Sequence, residues 1–213
     1  VKLLVATRSA HKLREIRALL RSVPFVDLLD LSQAGVQASD AEEGIEIYET
    51  FEENALAKAR YFQGLTGLPT VADDSGLCVD ALGGAPGVRS RRYSPLHQEL
   101  SGELLDRANN HHLLQQLGPL DLAERTAHYV CSVALSIDDH SPPYIARGEV
   151  HGLILGLPKG RSGFGYDPLF YHPPSGLTLA ELTPEQKDVI SHRGEAFRSL
   201  TRHLQEREQP DGA

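Results

Sequence analysis

The chain opens with the aliphatic run Lys2-Leu3-Leu4-Val5-Ala6, breaks at Thr7-Arg8-Ser9, and then places Leu13, Ile16 and Leu20 at helical spacing. A second helix is marked by its start. Thr50 lies three residues ahead of Glu53, a capping-box pattern, and Phe51, Ala55, Ala59 and Phe62 form one apolar stripe. Asn54 and Lys58, four apart, share another side of that helix. After Pro69 the run Thr70-Val71-Ala72 reads as a buried strand. Strands alternating with amphipathic helices demand a sheet covered by helices, which is an α/β fold. The order also puts Asp73 and Asp74 at the C-terminal end of a buried strand, where ligands of such folds collect.

Downstream, residues 82–87 form a turn-rich loop with three glycines. Residues 98–117 read as a helix closed by Gly118-Pro119. From Ala127 to Ile137 the period changes to two, and Tyr144 to Ile154 repeats it more weakly, which predicts a hairpin joined across residues 138–143. Thr183-Pro184-Glu185-Gln186 combines an N-cap, a proline at the first helical position and a capping-box glutamine. Arg193, Phe197, Leu200 and Leu204 predict a last helix, interrupted or bent near Gly194. No repeat or linker divides the chain, so residues 1–205 are expected to form one domain and 206–213 a frayed polar tail.

The net charge of -8 over 213 residues argues against nucleic acid or an anionic membrane as partner, since both reward a basic face. Two cysteines, Cys78 and Cys131, are too few for a disulfide framework and lack zinc-site spacing. No apolar run approaches the roughly 18 residues of a membrane span, and VKLLVATRS is too short in its apolar part for a secretory signal. A cytoplasmic protein is the expectation.

Several charged groups then stand out. Adjacent carboxylates at Asp73 and Asp74 repel each other unless a cation sits against them, and hard oxygen donors suit magnesium; a solvated loop or a helix cap is the plainer alternative. A further acid could be Glu46, between Ile45 and Ile47, but Glu42, Glu43 and Glu49 lie close by and composition does not choose among the four. Thr7, Arg8, Ser9 and Lys12 lie where a strand gives way to a helix N-terminus, a cradle for phosphate, although a Ser9 cap with a solvated Lys12 explains the same residues. In Ser162-Gly163-Phe164-Gly165-Tyr166-Asp167-Pro168 two aromatics flank a glycine beside an acid, which could offer a ring to a planar base and a carboxylate to its edge or sugar, or could be a tight turn with buried rings. Ser191-His192-Arg193 groups hydrogen-bond donors suited to keto oxygens or phosphate, although a helix cap with a surface His-Arg would look the same.

Taken in order, ATRSAHKLREI, TFEENALAKAR, VADDSGLCVDALGGAPGV, GFGYDPLF and ELTPEQKDVISHRG strongly resemble the non-canonical purine nucleoside triphosphate pyrophosphatases, the dITP/XTP pyrophosphatase or inosine triphosphatase family. The resemblance spans residue 3 to about 200. It implies an elongated central mixed sheet with flanking helices, two lobes around a nucleotide-binding cleft, and a homodimer. It implies hydrolysis of ITP, dITP and XTP to the monophosphate and pyrophosphate with magnesium. By position, Thr7, Arg8, Ser9, Ala10, His11 and Lys12 would hold the triphosphate, with Lys58 adding charge. Glu46 and Asp74 would bind the metal, Asp74 would also accept the proton of the attacking water, and Asp73 would support it. Ser75 would touch substrate, Phe164, Gly165, Tyr166 and Asp167 would form the base and sugar pocket, and Lys187, His192 and Arg193 would complete base recognition.

The chain departs from the family pattern at Ser9, where asparagine is usual, and at Arg8, where a small residue is usual; Arg89 and Arg91 have no assigned role. Two other classes use similar residues: a phosphohydrolase releasing orthophosphate, and a nucleotide sensor without catalysis.

Overall fold

The structure is a computed structural model and describes residues 1–208. Seven strands form one mixed sheet: β1 (Lys2–Val5), β2 (Asp27–Asp30), β3 (Thr70–Val79), β4 (Thr126–Ser136), β5 (Tyr144–Ile154), β6 (Phe170–His172) and β7 (Leu177–Thr178). Their order is β2-β1-β3-β4-β5-β6-β7. β1 runs parallel to β2 and β3, with Val5 opposite Val71, whereas the β5–β6 and β6–β7 pairs are antiparallel. Among the described residues five α-helices flank it: α1 (Ala10–Leu19), α2 (Phe51–Thr66), α3 (Gly102–Leu117), α4 (Pro184–Ile190) and α5 (His192–Glu208). None is long and apolar enough to cross a membrane.

The helix starts follow the local chemistry. Ser9 caps α1 by accepting from the Lys12 N–H, and Thr50 caps α2 by accepting from the Glu53 N–H. Gly67, at φ +67°, closes α2 in the left-handed conformation that other residues avoid. At α4 both halves of the capping box form: Thr183 accepts from the Gln186 N–H, and Gln186 accepts from the Thr183 N–H.

The described chain groups into two compact units. The first comprises Val1–Asp74, Cys131–Gly148 and the segment from Arg193 onward; the second comprises Ser75–Val130 and Glu149–His192. In the first unit both sheet faces are covered. Ile16 and Leu20 pack with Ala196, Phe197 and Leu200 of α5 against Leu3, Val5, Val71, Cys131 and Val133. On the other side Ala55, Ala59 and Phe62 of α2 meet Leu4, Ala6, Ala72 and Ala134. The second unit builds its core from Leu77, Val79, Leu113, Leu117, Tyr129, Tyr166, Leu169 and Phe170.

Four boundaries differ from expectation. β3 does not end at the aspartates but runs through them to Val79. The period-two reading of 127–137 gives way to burial of every residue from Tyr129 to Ser136, because this strand is covered on both faces. The helix expected from residue 98 begins at Gly102, since Ser101 is extended (φ -143°, ψ 167°) and Gly102 has φ +56°. The last helix is interrupted at Ser191, in extended backbone between α4 and α5, rather than at Gly194. Residues 206–208, expected to fray, continue α5, and 209–213 of that expected tail lie outside the described residues.

Phe197 is fully buried in the first unit. Phe197→Ala is expected to lower unfolding free energy by about 3–5 kcal/mol in urea titration, through the transfer energy of the deleted ring and a residual cavity; a change below about 1 kcal/mol would contradict this packing.

Candidate active site

β3 extends beyond β1: the ladder between them ends at Val5 opposite Val71, and the Ala6 N–H donates to the Val71 carbonyl. Asp73 and Asp74 come two and three residues later, so they sit past the C-terminal end of the neighbouring parallel strand although inside their own. Successive strand residues point to opposite faces. Val71 packs with α1 and α5, and Ala72 with α2, so Asp73 continues the first face and Asp74 the second. The two carboxylates are not a pair in space.

Their contacts bear this out. Asp73, 1% exposed, receives Lys12 Nζ at 3.0 Å on Oδ2, together with Arg193 Nη2 at 3.2 Å and Nε at 3.3 Å. Arg193 also donates to Glu15, one turn along α1 from Lys12. The Cys131 thiol points at the same oxygen from 4.0 Å. Asp74, 7% exposed, instead accepts from Asn54 Nδ2 of α2 at 3.1 Å.

The electrostatics separate the acids further. Burial alone would raise the Asp73 carboxyl, but the charges of Lys12, Arg193 and Lys58 outweigh it and hold Asp73 well below the usual carboxylate range. Burial also raises Asp74; Lys12 and Lys58 offset only part of it, Glu46 and Asp73 add repulsion, and the carboxyl is pushed up to about 6. Burial opposes charge on Glu46 and Lys58 too, yet their ion pair wins: Lys58 keeps Glu46 below its ordinary value, and Glu46, Asp73 and Asp74 keep Lys58 above its own.

Of the groups named here, Lys12, Lys58 and Arg193 face four carboxylates, Asp73, Asp74, Glu46 and Glu15, which leaves negative charge in excess when all ionise. Protonating Asp74 or admitting a cation relieves it. Among the described residues no group of three or more His, Cys, Asp or Glu is arranged to hold a metal. Two carboxylates, Glu46 and Asp74, fit a hard divalent ion that takes its remaining ligands from water and phosphate.

The α1 start is as expected in part. Thr7 Oγ1 accepts from the Ser9 N–H, Ala10 is the first residue of α1, and His11 Nδ1 lies 2.7 Å from an Arg14 guanidinium nitrogen. Arg8 is committed elsewhere: it pairs with Glu42 and donates to the carbonyls of Val36 and Gln37. Its fork ties the start of α1 to the 36–42 segment.

In the second unit, Ser75 follows in β3, partly buried. The Phe164–Asp167 turn is held from several sides. Asp167 Oδ2 accepts from the Phe164 N–H at 2.9 Å and from Lys187 Nζ at 2.6 Å, and that ammonium lies 4.9 Å from the Phe164 ring centroid. Asp167 is thus the clip of the turn, 2% exposed, rather than a carboxylate offered outward. Gly163, at φ +78°, has no room for a side chain: a Cβ would lie 2.1 Å from Asp167 Oδ2. Gly165 is gripped from α3, its N–H donating to Asp106 and its carbonyl accepting from Asn110. Tyr166 is buried with its hydroxyl on the Ser90 carbonyl. His192 stacks on Tyr129, ring centroids 4.7 Å apart and nearly parallel.

Lys187 and His192 therefore belong with the aromatic turn, whereas Arg193, expected beside them for base recognition, belongs to the first unit with Asp73 and Glu15. Sequence reasoning missed Asn54, Glu15, Asp106, Asn110 and Tyr129. Only Asn54 carried a signal, its place four residues before Lys58 on a capped helix.

Asp73 supplies the sharpest prediction. Its folded pKa lies below the unfolded value of about 3.9, so its stabilisation is complete above that pH and drains away as pH falls towards the folded value. Asp73→Asn leaves Lys12 and Arg193 without their buried counter-charge and should cost about 3–5 kcal/mol at neutral pH. Urea unfolding between pH 7 and pH 3 should also show a shallower acid slope in the variant; unchanged stability and slope would contradict the assignment.

Known proteins share this architecture. Residues 3–203 match the Ham1 family. A dITP/XTP pyrophosphatase of Geobacter sulfurreducens is 47% identical over 203 residues, 95% of this chain and 96% of its own length. One of Burkholderia pseudomallei is 45% identical over 206 residues, 96% and 94% of the two chains. Among solved structures, a HAM1 protein from Coxiella burnetii superposes with a TM-score of 0.83 at 37% identity, covering 97% of this chain and 99% of its own. A nucleoside-triphosphatase / dITP/XTP pyrophosphatase from Mycobacterium abscessus gives 0.72 at 42% identity, covering 94% and 97%. With the match running almost from end to end, this chain belongs to the Ham1 family.

Proposed function

We propose that this chain hydrolyses non-canonical purine nucleoside triphosphates, ITP, dITP and XTP, to the nucleoside monophosphate and pyrophosphate, and so removes deaminated purines from the nucleotide pool. The observation that carries the reading is the division of labour at β3: one buried aspartate holds Lys12 and Arg193 on its Oδ2, and its neighbour, raised to about 6, meets a neutral amide.

The residues act as follows. Lys12 and Lys58 face the triphosphate and neutralise charge that develops on the departing pyrophosphate. Thr7, Ser9, Ala10 and His11 line the same helix start and offer backbone N–H groups to phosphate oxygens. Asp73 fixes the Lys12 ammonium through its 3.0 Å contact. Asp74 takes the proton of the attacking water as general base. Glu46 and Asp74 would hold magnesium, which polarises phosphate oxygens and lowers the pKa of water when bound. Ser75 follows Asp74 and touches the nucleotide. In the second unit Phe164 stacks on the purine, with Gly165, Tyr166 and Asp167 shaping the turn that presents it.

Lys187 and His192 donate to the keto oxygen that hypoxanthine and xanthine carry and adenine lacks, so adenine leaves buried donors facing another donor. The homodimer and a cytoplasmic setting belong to the same reading.

Asp74→Asn should lower kcat for ITP by about 10²–10⁴-fold, the usual contribution of a positioned general base, with the protein still folded by circular dichroism. The purified protein should release pyrophosphate from ITP, dITP and XTP and turn ATP over far more slowly. Orthophosphate without pyrophosphate would indicate a phosphohydrolase, undiminished turnover by Asp74→Asn would remove its role as base, and equal hydrolysis of ATP would overturn the base selectivity.

A further inference from the structure

Asn54 is 1% exposed on α2, and its amide is spent on two targets. Its Oδ1 accepts from the Tyr48 N–H at 2.9 Å, and its Nδ2 donates to the Tyr48 carbonyl at 3.1 Å. The same Nδ2 donates to Asp74 Oδ2 at 3.1 Å. A primary amide has two N–H donors, and here both are used. One side chain thus grips the backbone N–H and carbonyl of Tyr48, two residues after Glu46, and the carboxylate of Asp74.

The segment is otherwise held at Ile45, which is buried, and by the pairing of Glu46 with Lys58. Ile47 is 67% and Tyr48 44% exposed, and Ile45 is the buried anchor on the other side of Glu46. The residue type matters as well. A lysine or arginine would add a cation where a divalent ion is to sit, and an acid would add repulsion to Asp74. Asparagine orients the carboxylate without changing the charge.

We infer that Asn54 is a positioning residue for the hydrolysis: it holds the Glu46-bearing segment and the Asp74 carboxylate in one fixed arrangement. The inference rests on the roles given to Asp74 and Glu46 under the proposed function. It assigns Asn54 no contact with nucleotide, so removing the amide should act on turnover rather than on substrate affinity. Residues that orient a metal-binding carboxylate commonly contribute 10–100-fold to activity.

The test pairs kinetics with amide exchange in the metal-free protein. In Asn54→Ala, kcat for ITP should fall about 10–100-fold with KM within about threefold, and the Tyr48 amide, followed by NMR, should exchange at least about tenfold faster because its acceptor is gone. Asn54→Asp keeps an acceptor for the Tyr48 N–H and removes the donors to the Tyr48 carbonyl and to Asp74, so exchange of the Tyr48 amide should stay slow while kcat stays low. This second variant also separates positioning from folding, since it preserves shape and the acceptor half of the loop tether. Wild-type kcat in both variants, or a raised KM at unchanged kcat, would overturn the inference. If that happens while Asp74→Asn is inactive, only the role of Asn54 fails; turnover retained by Asp74→Asn would instead remove the assignment on which it rests.

Discussion

Two carboxylates on neighbouring residues of one buried strand cannot share a face, and the site is organised by that constraint. The pleat sends Asp73 towards α1 and α5 and Asp74 towards α2. Each meets what its face supplies. Lys12 and Arg193 converge on Asp73 because α1 and α5 both cover that side of the sheet, and Glu15 on α1 holds the far end of Arg193. Asn54 and the Glu46–Lys58 pair come from α2 and the segment before it.

The consequence is chemical. A carboxylate held far below its ordinary range is a fixed charge, suited to holding a lysine and unsuited to taking a proton. A carboxyl raised to about 6 is poised to exchange a proton or a cation near neutral pH. Burial acts on both in the same direction, and the number of cations within reach decides the outcome. The second unit solves a different problem, rigidity of a short aromatic turn. It does so with Asp167 inside the turn, Asp106 and Asn110 gripping Gly165, and Lys187 over Phe164.

Much of this was legible in the chain. Caps at Ser9, Thr50 and Thr183 are local chemistry, written within four residues, and each forms. The ordered motifs pointed to the family that the comparisons establish. What escaped depends on contacts across long stretches of chain. Arg193 reads with His192 because they are neighbours, yet the break at Ser191 lets α5 carry it to Asp73, 120 residues away in sequence. Arg8 reads as a phosphate ligand because it sits beside a helix start, and only the fold reveals Glu42 and two carbonyls around it. Asn54 lies inside the TFEENALAKAR motif, but its contacts follow from which turn of α2 lies over β3. The end of β3 is misread for a related reason: the pattern marks where β1 stops pairing, not where β3 itself stops.

The division between Asp73 and Asp74 is most directly tested by crystallising the protein with a non-hydrolysable ITP analogue and manganese in place of magnesium, and locating the metal by anomalous scattering. The account predicts a peak coordinated by the carboxylates of Glu46 and Asp74, with Asp73 still bound to Lys12 and Arg193. A metal coordinated by Asp73, with Asp74 left on Asn54 alone, would contradict it.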